Sequence, residues 1–274
     1  MTQEQAPRPQ RPRPHFRTVE VKRAERLTPH IVRVVFGGDE LEGFATRGPA
    51  EHIKVFLPRF DEDRPILPEW GPDGPVFAEG QERPLSRTYT PRIWNAERRE
   101  LTVDFLMHGD GPGSLWADAT RPGRIAVVTG PGGAYRLDAN AAWYLIGGDE
   151  SAIPAIGTIL EALPASARTS VFIETEDALE EQELSSPASF GVAWLHRDST
   201  EGAEPGRLLE SALKRADLWR GEGRVWVGCE AGVMRDIRRH LLFEGGLARE
   251  AIDTHGYWKQ GVVNHPDHDI GQEI

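Results

Sequence analysis

Cysteine is almost absent from this chain of 274 residues, and a long apolar run is absent altogether. The single Cys229 excludes an intrachain disulfide and any zinc or iron–sulfur site built on several cysteines, and it favours a reducing, cytoplasmic location. The longest nearly apolar run, Ala141 to Gly148, has eight residues, whereas a transmembrane helix needs roughly 20. We therefore expect no insertion into a membrane.

The chain also lacks an excess of positive charge. Lysine and arginine total 32 against 43 aspartates and glutamates, which gives a formal net charge of −11. Residues 1–140 are balanced, with 20 basic and 20 acidic side chains, so the whole excess lies in residues 141–274. Such a chain is a poor candidate for nonspecific binding to nucleic acid or to anionic membranes.

The spacing of apolar residues differs between two parts of the chain and predicts two domains. In residues 15–140, short alternating runs are separated by Gly and Pro, which predicts an antiparallel β-barrel. In residues 141–262, continuous apolar strands alternate with helical spacing, which predicts a parallel α/β domain. Residues 1–14 contain four prolines and predict a disordered tail. Residues 263–274 are expected to form a polar C-terminal tail.

The first candidate motif is Arg87-Thr88-Tyr89-Thr90, at the start of a probable strand. A guanidinium binds a phosphate through paired hydrogen bonds. A tyrosine ring can lie against a planar heterocycle, while a threonine hydroxyl hydrogen-bonds a ring nitrogen. The alternative is an ordinary amphipathic strand with a surface arginine.

The second motif runs from His108 to Trp116, where a strand ends in a glycine turn and a helix begins near Ser114. Free backbone N–H groups at a helix start suit a pyrophosphate. Glycines such as Gly111 and Gly113 let the backbone come close to a ligand. The alternative is a simple strand–turn–helix connection, and we expect Trp116 to be a core residue in either case.

Two later segments, Gly147–Pro154 and Gly228–Arg235, repeat the strand-to-helix pattern in the α/β region. Ligands of open α/β sheets bind at the carboxyl ends of the strands. Neither segment is a GxGxxG fingerprint, and helix capping is the alternative, with Ser151 as the expected N-cap. Cys229 is expected to be a small buried residue rather than a reactive one.

The last motif is Gly256-Tyr257-Trp258-Lys259, whose two aromatic rings could cover a cofactor. The alternative is a final strand that docks the C-terminus. Beyond it, His265-Pro266-Asp267-His268 is a weak metal-binding pattern in a polar segment. We expect disorder there and no protein-bound metal.

In this order, the motifs resemble the siderophore-interacting protein family, which are flavin-dependent ferric-siderophore reductases of the ferredoxin-reductase-like group. The resemblance covers about residues 15–262. Its pieces are Arg87-x-Tyr89-Thr90, Asp104 to Ser114, Gly148 to Ala155 and Gly256-Tyr257-Trp258. It implies a Greek-key FAD-binding barrel followed by a parallel-sheet domain that resembles NAD(P)H-binding domains.

The resemblance also implies roles for individual residues. FAD would be held by Arg87, Thr88, Tyr89, Thr90, Leu106, His108, Gly111, Pro112, Gly113, Ser114 and Trp258. The NAD(P)H side would be lined by Asp149, Glu150, Ser151, Cys229, Glu230, Met234 and Arg235. An anionic ferric siderophore would meet Lys54, Arg136 and Lys259.

The implied activity passes electrons from NAD(P)H, or from a reduced ferredoxin, through FAD to Fe(III) held in a siderophore. No acid, base or nucleophile is expected because the electrons move through FAD. One alternative is a flavin-dependent NAD(P)H reductase of another acceptor, and another is a carrier that binds the ferric siderophore without turnover. No dedicated 2′-phosphate site is identifiable, so NADH and NADPH are both retained as donors.

Overall fold

The computed structural model describes residues 14–59, 62–71, 74–80, 82–109, 111–263, 265–266 and 269–271. These residues form fourteen β-strands and four α-helices. No helix in this described part of the chain combines the length and apolar character needed to cross a membrane. Residues 1–13 of the predicted tail lie outside the described residues.

Nine strands and one helix make up the N-terminal half. They are β1 (Arg17–Thr28), β2 (Ile31–Gly37), β3 (His52–Leu57), β4 (Glu69–Gly71), β5 (Gly74–Val76), β6 (Leu85–Tyr89), β7 (Ile93–Asn95), β8 (Glu100–Leu106) and β9 (Ile125–Gly132), with α1 (Pro112–Ala119) between β8 and β9. Seven of the strands form an antiparallel sheet in the order β6-β3-β9-β1-β2-β8-β7, whereas β4 and β5 pair with each other. The stretch 64–83, whose Pro and Gly content predicts a loop, therefore contains a short hairpin.

The seven-stranded sheet curls around an apolar core. The ring of Tyr89 on edge strand β6 lies 4.3 Å from the ring of Phe105 on β8, although these strands are far apart in the sheet order. Trp116 of α1 stacks on Phe36 with 6.1 Å between ring centroids and is buried. The predicted barrel is confirmed, and so is the core role of Trp116.

Five strands and three helices make up the C-terminal half. They are β10 (Trp143–Asp149), α2 (Ile153–Ala162), β11 (Arg168–Thr175), β12 (Ser189–His196), α3 (Arg207–Arg215), β13 (Gly223–Glu230), α4 (Ala231–Phe243) and β14 (Ile252–Trp258). All five strands run parallel in the order β12-β11-β10-β13-β14. The chain moves outward from β10 to β12 and then returns to the other side of β10, so the strand order reverses between β10 and β13. In such sheets this reversal is where ligands bind.

Every residue of β10 is buried, because helices cover both faces of its sheet. Ile146 packs with the α2 side, and Leu145 packs with α3 and α4. A strand buried on both faces has no polar face, which is why its sequence is a continuous apolar run. The predicted parallel α/β fold is confirmed.

The two halves touch through a few specific polar contacts. Glu180 is buried and accepts hydrogen bonds from the Thr28 hydroxyl at 2.6 Å and from the His30 N–H at 3.0 Å. Arg92 pairs with Glu161 through two bonds of 2.7 and 3.1 Å. The predicted division after residue 140 falls between β9 and β10.

Candidate functional site

The strand that carries the first motif places its side chains on two different faces. In β6, Tyr89 lies opposite the buried Ile53 of β3, and Arg87 shares its face because side chains alternate along a strand. Thr88 lies opposite the exposed Lys54. Of the residues expected to bind FAD, Arg87 and Tyr89 therefore lie on one face of β6, and Thr88 lies on the other.

The first helix has an open N-terminus beside these two side chains. It begins at Pro112 directly after Gly111, and among the residues that the structure describes no side chain caps its first turn. The Leu115 N–H donates to the Gly111 carbonyl at 3.0 Å, so the N–H groups of Gly113 and Ser114 have no partner within the helix. Together with the positive end of the helix dipole, such groups suit a phosphate.

Gly113 lets this helix lie close to β6. A Cβ on Gly113 would lie 2.8 Å from the phenol oxygen of Tyr89, closer than real contacts of this kind, and 3.7 Å from Cγ of Arg87. Burial raises the pKa of the Tyr89 phenol, against the opposing charge of Arg87, so the ring stays neutral. An arginine, a neutral aromatic ring and an open helix start are thus neighbours. These residues fit the pyrophosphate and the flat ring of FAD.

The Ser114 hydroxyl braces the turn that precedes the helix. It accepts a hydrogen bond from the His108 N–H at 3.0 Å and lies 3.3 Å from the His108 carbonyl oxygen. Leu106 ends β8 just before this turn, and the His108 imidazole is exposed. Thr90 follows directly after β6 and is half-buried.

The carboxyl ends of three parallel strands meet at Asp149, the last residue of β10. One oxygen of its buried carboxylate accepts the N–H of Ser151 at 3.0 Å and also the Ser151 hydroxyl. The other oxygen accepts the Glu230 N–H at 3.1 Å and the Trp258 indole N–H at 2.8 Å. Burial raises the pKa of Asp149 to about 6, although its hydrogen bonds act in the opposite direction. Four of the predicted site residues are therefore brought together.

Ser151 is not the N-cap of α2, so that prediction was wrong. The helix begins at Ile153 after Ala152, with no side-chain cap. Asp149 instead caps a single turn of 3-10 helix, Glu150–Ala152, which is inserted before α2. The Ser151 hydroxyl donates to Asp149 instead, and Pro154 in the first turn of α2 has no N–H that Ser151 could cap.

Glu150 turns away from this cluster toward an ion pair. Its carboxylate pairs with Arg197 at 2.5 Å, and Arg197 also lies 3.4 Å from the fully buried Glu174. Glu174 in turn accepts the N–H groups of Gly206 and Leu209 at the start of α3. The Glu150 side chain is thus part of a charged network beside β11 and α3.

The segment Gly228–Arg235 contains the residue that caps the helix following it, α4. The Glu230 carboxylate accepts the N–H groups of Gly232 at 2.5 Å and Val233 at 2.9 Å, so it caps α4. Met234 is fully buried in the core. Arg235 pairs with Asp269 at 2.7 Å, which lies in the segment expected to be a polar tail.

Cys229 is fully buried, and the prediction of a small buried residue is confirmed. Burial, together with the neighbouring charges of Asp149 and Glu230, raises the pKa of its thiol. The nucleophilic form of cysteine is the thiolate, and this environment disfavours it.

Comparisons with known proteins agree with this architecture. The model of the siderophore-interacting FAD-binding domain matches residues 20–135, and the model of the siderophore-interacting protein matches residues 141–261. The chain belongs to the siderophore-interacting protein family. The first matched region spans the barrel strands together with α1, and the second spans the parallel sheet.

Individual members of the siderophore-interacting family are similar over nearly their whole length. The chain is 32% identical over 256 residues to the ferric vibriobactin reductase of Vibrio cholerae, covering 92% of this chain and 93% of that protein. It is 34% identical over 246 residues to the NADPH-dependent ferric-chelate reductase of Escherichia coli, covering 89% and 92%. The crystal structure of a siderophore utilization protein from T. fusca has a TM-score of 0.83 and 36% identity, covering 93% of this chain and 97% of that one.

Three basic residues were assigned to the substrate by resemblance to the siderophore-interacting family, and all three are exposed: Lys54, Arg136 and Lys259. Arg136 lines a groove of about 740 Å³ together with Arg47 and Glu51. Sequence reasoning missed Arg47, because it lies in an irregular segment before β3 with no motif around it. Lys259 follows β14 directly, next to the half-buried Trp258.

The weak metal-binding pattern lies only partly in the described residues. Asp267 and His268 are outside them, while His265 hydrogen-bonds Asp269 at 2.8 Å. Over the ranges that the structure describes, no three His, Cys, Asp or Glu side chains cluster as metal ligands would.

Proposed function

We propose that this protein is a flavin-dependent ferric-siderophore reductase, which takes electrons from NADPH or NADH and releases Fe(II) from a siderophore. The observation that carries the proposal is the open N-terminus of α1 beside Arg87 and Tyr89. It lies in the region that matches the siderophore-interacting FAD-binding domain. Relatives named for ferric-vibriobactin and ferric-chelate reduction support the activity.

FAD, when bound, supplies the ability to take two electrons from a nicotinamide and to release them one at a time. One NAD(P)H therefore reduces two Fe(III) chelates and releases one proton. Reduction frees the metal because oxygen-rich chelators, as hard ligands, hold Fe(III) far more tightly than Fe(II). The protein's own task is to place the cofactor and the chelate close together.

The substrate in this proposal is an anionic ferric chelate. Exposed cationic side chains from three places in the fold would attract it, namely Lys54 on β3, Arg136 after β9 and Lys259 after β14. Arg47 joins this set because it lines the same groove as Arg136. The chain's net charge of −11 gives no overall attraction for an anion, so the local cations have to supply it.

The donor is proposed to be NADPH, as in the name of the Escherichia coli relative. The sites for its phosphates stay a prediction, since Glu230 already caps α4 and Arg235 already pairs with Asp269. A reduced ferredoxin is the alternative donor, and the cytoplasm, where each of these donors is found, is the proposed location.

The test is anaerobic turnover by purified, FAD-loaded protein. NADPH, NADH and reduced ferredoxin are each supplied with ferric vibriobactin or with a ferric tris-hydroxamate siderophore, and Fe(II) is trapped as a coloured complex. We expect Fe(II) formation well above a protein-free control with at least one pair. No Fe(II) with any pair, from protein that binds FAD, would contradict the proposal and favour a carrier without turnover.

A further inference from the structure

The carboxylate of Asp149 has no remaining capacity for an outside ligand. It accepts four hydrogen bonds, from the Ser151 N–H and hydroxyl, the Glu230 N–H and the Trp258 indole. A carboxylate offers about four lone-pair sites. The amide of a nicotinamide would have to displace one of these donors, so the geometry points away from direct contact with NAD(P)H.

Trp258 reaches Asp149 because β14 has a bulge at this position. Cys229 pairs with Gly256 and Glu230 pairs with Trp258, so Tyr257 is an extra residue in β14. Such bulges re-aim a side chain, and they are common beside functional sites. Here the bulge and the Asp149 hydrogen bond together fix the orientation of the indole.

The turn that follows Trp258 is held by Glu230. One oxygen of Glu230 caps α4, and the other accepts the Gln260 N–H at 3.3 Å. The turn closes on itself, because the Val262 N–H donates to the Lys259 carbonyl at 3.0 Å. Lys259 therefore lies in a turn anchored to the start of α4.

The geometry around position 149 explains why a buried site carries a carboxylate rather than an amide. Asp149 is 3% exposed, and its four hydrogen-bond donors are neutral groups, an environment that disfavours a carboxylate. Asparagine has the same size, but its amide nitrogen cannot accept and would face N–H or O–H donors on one side. Only a carboxylate serves the donors on both sides.

We propose that Asp149 is a positioning residue for the acceptor: it holds the Trp258 indole and, with Glu230, sets the place of Lys259 against the ferric siderophore. Both carboxylates then act on the acceptor side of the site rather than on the NAD(P)H side. The inference rests on the proposed function, since Lys259 contacts substrate only if an anionic ferric chelate binds.

The structural test is hydrogen exchange of the full FAD-loaded chain, which needs no substrate. We expect Asp149→Asn and Trp258→Phe to raise the exchange rate across residues 256–262 by about tenfold, because Trp258→Phe removes the indole donor and Asp149→Asn leaves the donors on one side of position 149 without an acceptor. Within this segment, Glu230→Gln is expected to raise the exchange rate of residues 259–262 only. Glu174→Gln is the matched control, because it alters a buried carboxylate at the same sheet edge that caps α3, and it should leave this segment unchanged.

The functional test measures binding and the donor step separately. The probe is the gallium(III) complex of whichever siderophore the wild-type protein reduces, because gallium(III) matches Fe(III) in charge and size but is not reduced. We expect Asp149→Asn and Trp258→Phe each to raise its Kd by about two- to threefold, no more than removal of the Lys259 side chain would, and the double variant to add nothing further. Flavin reduction by NADPH in Asp149→Asn, followed in a stopped-flow instrument, should stay within about twofold of the wild-type rate.

Three results would overturn the inference. They are unchanged exchange in residues 256–262 of Asp149→Asn, slowed reduction by NADPH with an unchanged Kd for the gallium complex, and multiplicative effects in the double variant. If the wild-type protein reduces no ferric siderophore, the proposed function fails. The hydrogen-exchange result then still decides whether Asp149 and Glu230 hold this segment.

Discussion

Two helices, α1 and α4, each follow directly after a strand or turn, but they differ in the residue at the N-cap. The N-cap of α1 is Gly111, which has no side chain to offer, whereas the N-cap of α4 is Glu230, whose carboxylate accepts the N–H groups at the start of that helix. Both helices have glycine at the second position, Gly113 and Gly232. The same strand–glycine–helix pattern thus occurs once with a glycine N-cap and once with a carboxylate N-cap, and the residue just before the helix makes the difference.

The contrast extends to the two halves of the molecule. In the part of the barrel half that the structure describes, no side chain accepts the N–H groups at the start of α1 beside Arg87. In the α/β half, two of the three α-helix starts are satisfied by carboxylates of the same half, Glu174 at α3 and Glu230 at α4, while α2 has no side-chain cap. Asp149, which is buried, adds a third carboxylate at the same edge of the sheet. A ligand phosphate therefore finds open donors in the barrel half and competition from carboxylates in the other.

The largest expected effect of this difference is on the pH dependence of stability. The folded chain holds Asp149 with a pKa of about 6, above its ordinary 3.8, so the carboxyl binds its proton more tightly in the folded than in the unfolded chain, although it is mostly ionised at pH 7. The stability from this group is complete below about pH 4 and is lost as the pH rises through about 6. The unfolding free energy of wild type relative to Asp149→Asn should fall by about 2–3 kcal/mol between about pH 4 and pH 7.

Urea unfolding of both proteins across this pH range measures the effect, since the asparagine side chain of the variant does not titrate and the other groups cancel in the difference. A difference that is flat with pH, or that rises, would show that Asp149 is not a destabilised carboxylate in the folded chain.

The next effect concerns the matched glycines. Gly113→Ala places a Cβ 2.8 Å from the Tyr89 phenol oxygen, so the helix or the ring has to shift. An overpacking cost of about 1–3 kcal/mol corresponds to FAD binding weakened about ten- to hundredfold. In Gly232→Ala the Cβ meets the Glu230 carboxylate at 2.9 Å, and its three nearest atoms all belong to Glu230, so FAD affinity should not change. Titration of flavin fluorescence into each apoprotein compares them, and equal losses would refute the assignment.

Most of the fold could be predicted from the sequence because burial leaves a local pattern. The apolar run at β10 requires a sheet covered on both faces, and Leu101, Val103 and Phe105 alternate toward the barrel core. The β4–β5 hairpin was missed because its strands have three residues each, too few to show alternation among Pro and Gly.

The site was harder to predict because its pairings are long-range. Glu150 and Arg197 are 47 residues apart in sequence, and Asp149 and Trp258 are 109 apart, so no local spacing indicates either contact. The strand ends themselves were predictable, because parallel strands share one carboxyl edge. Which polar residue caps a turn was not, since Asp149 and Ser151 are equally suited by type.

A smaller effect, on the stability of the apoprotein, is expected to differ between the two N-cap positions, Glu230 before α4 and Gly111 before α1. Glu230→Ala removes the acceptor of two helix N–H groups and should cost about 1 kcal/mol, or about 2–4 °C in Tm for a domain of this size. Gly111→Ala removes no cap, and its backbone is extended with φ −60°, which alanine adopts easily. Its stability should change by less than about 0.5 kcal/mol. Thermal unfolding of both variants checks the pair, and equal losses would mean that Glu230 is not an effective cap.

The smallest effect per residue is expected at the exposed cations. Lys54→Ala and Lys259→Ala should each raise the KM for ferric siderophore about two- to threefold at low salt, because an exposed charge contributes only about 0.2–1 kcal/mol. The effect should shrink as salt rises from about 0.05 to 0.5 M, where screening shortens the range of these charges. Lys214→Ala is the control, an exposed lysine on α3 that pairs with Glu210. An equal rise in KM for Lys214→Ala would mean that the substrate responds to net charge. A rise confined to Lys54 and Lys259 would mean that local cations attract the anion to a chain whose overall charge repels it.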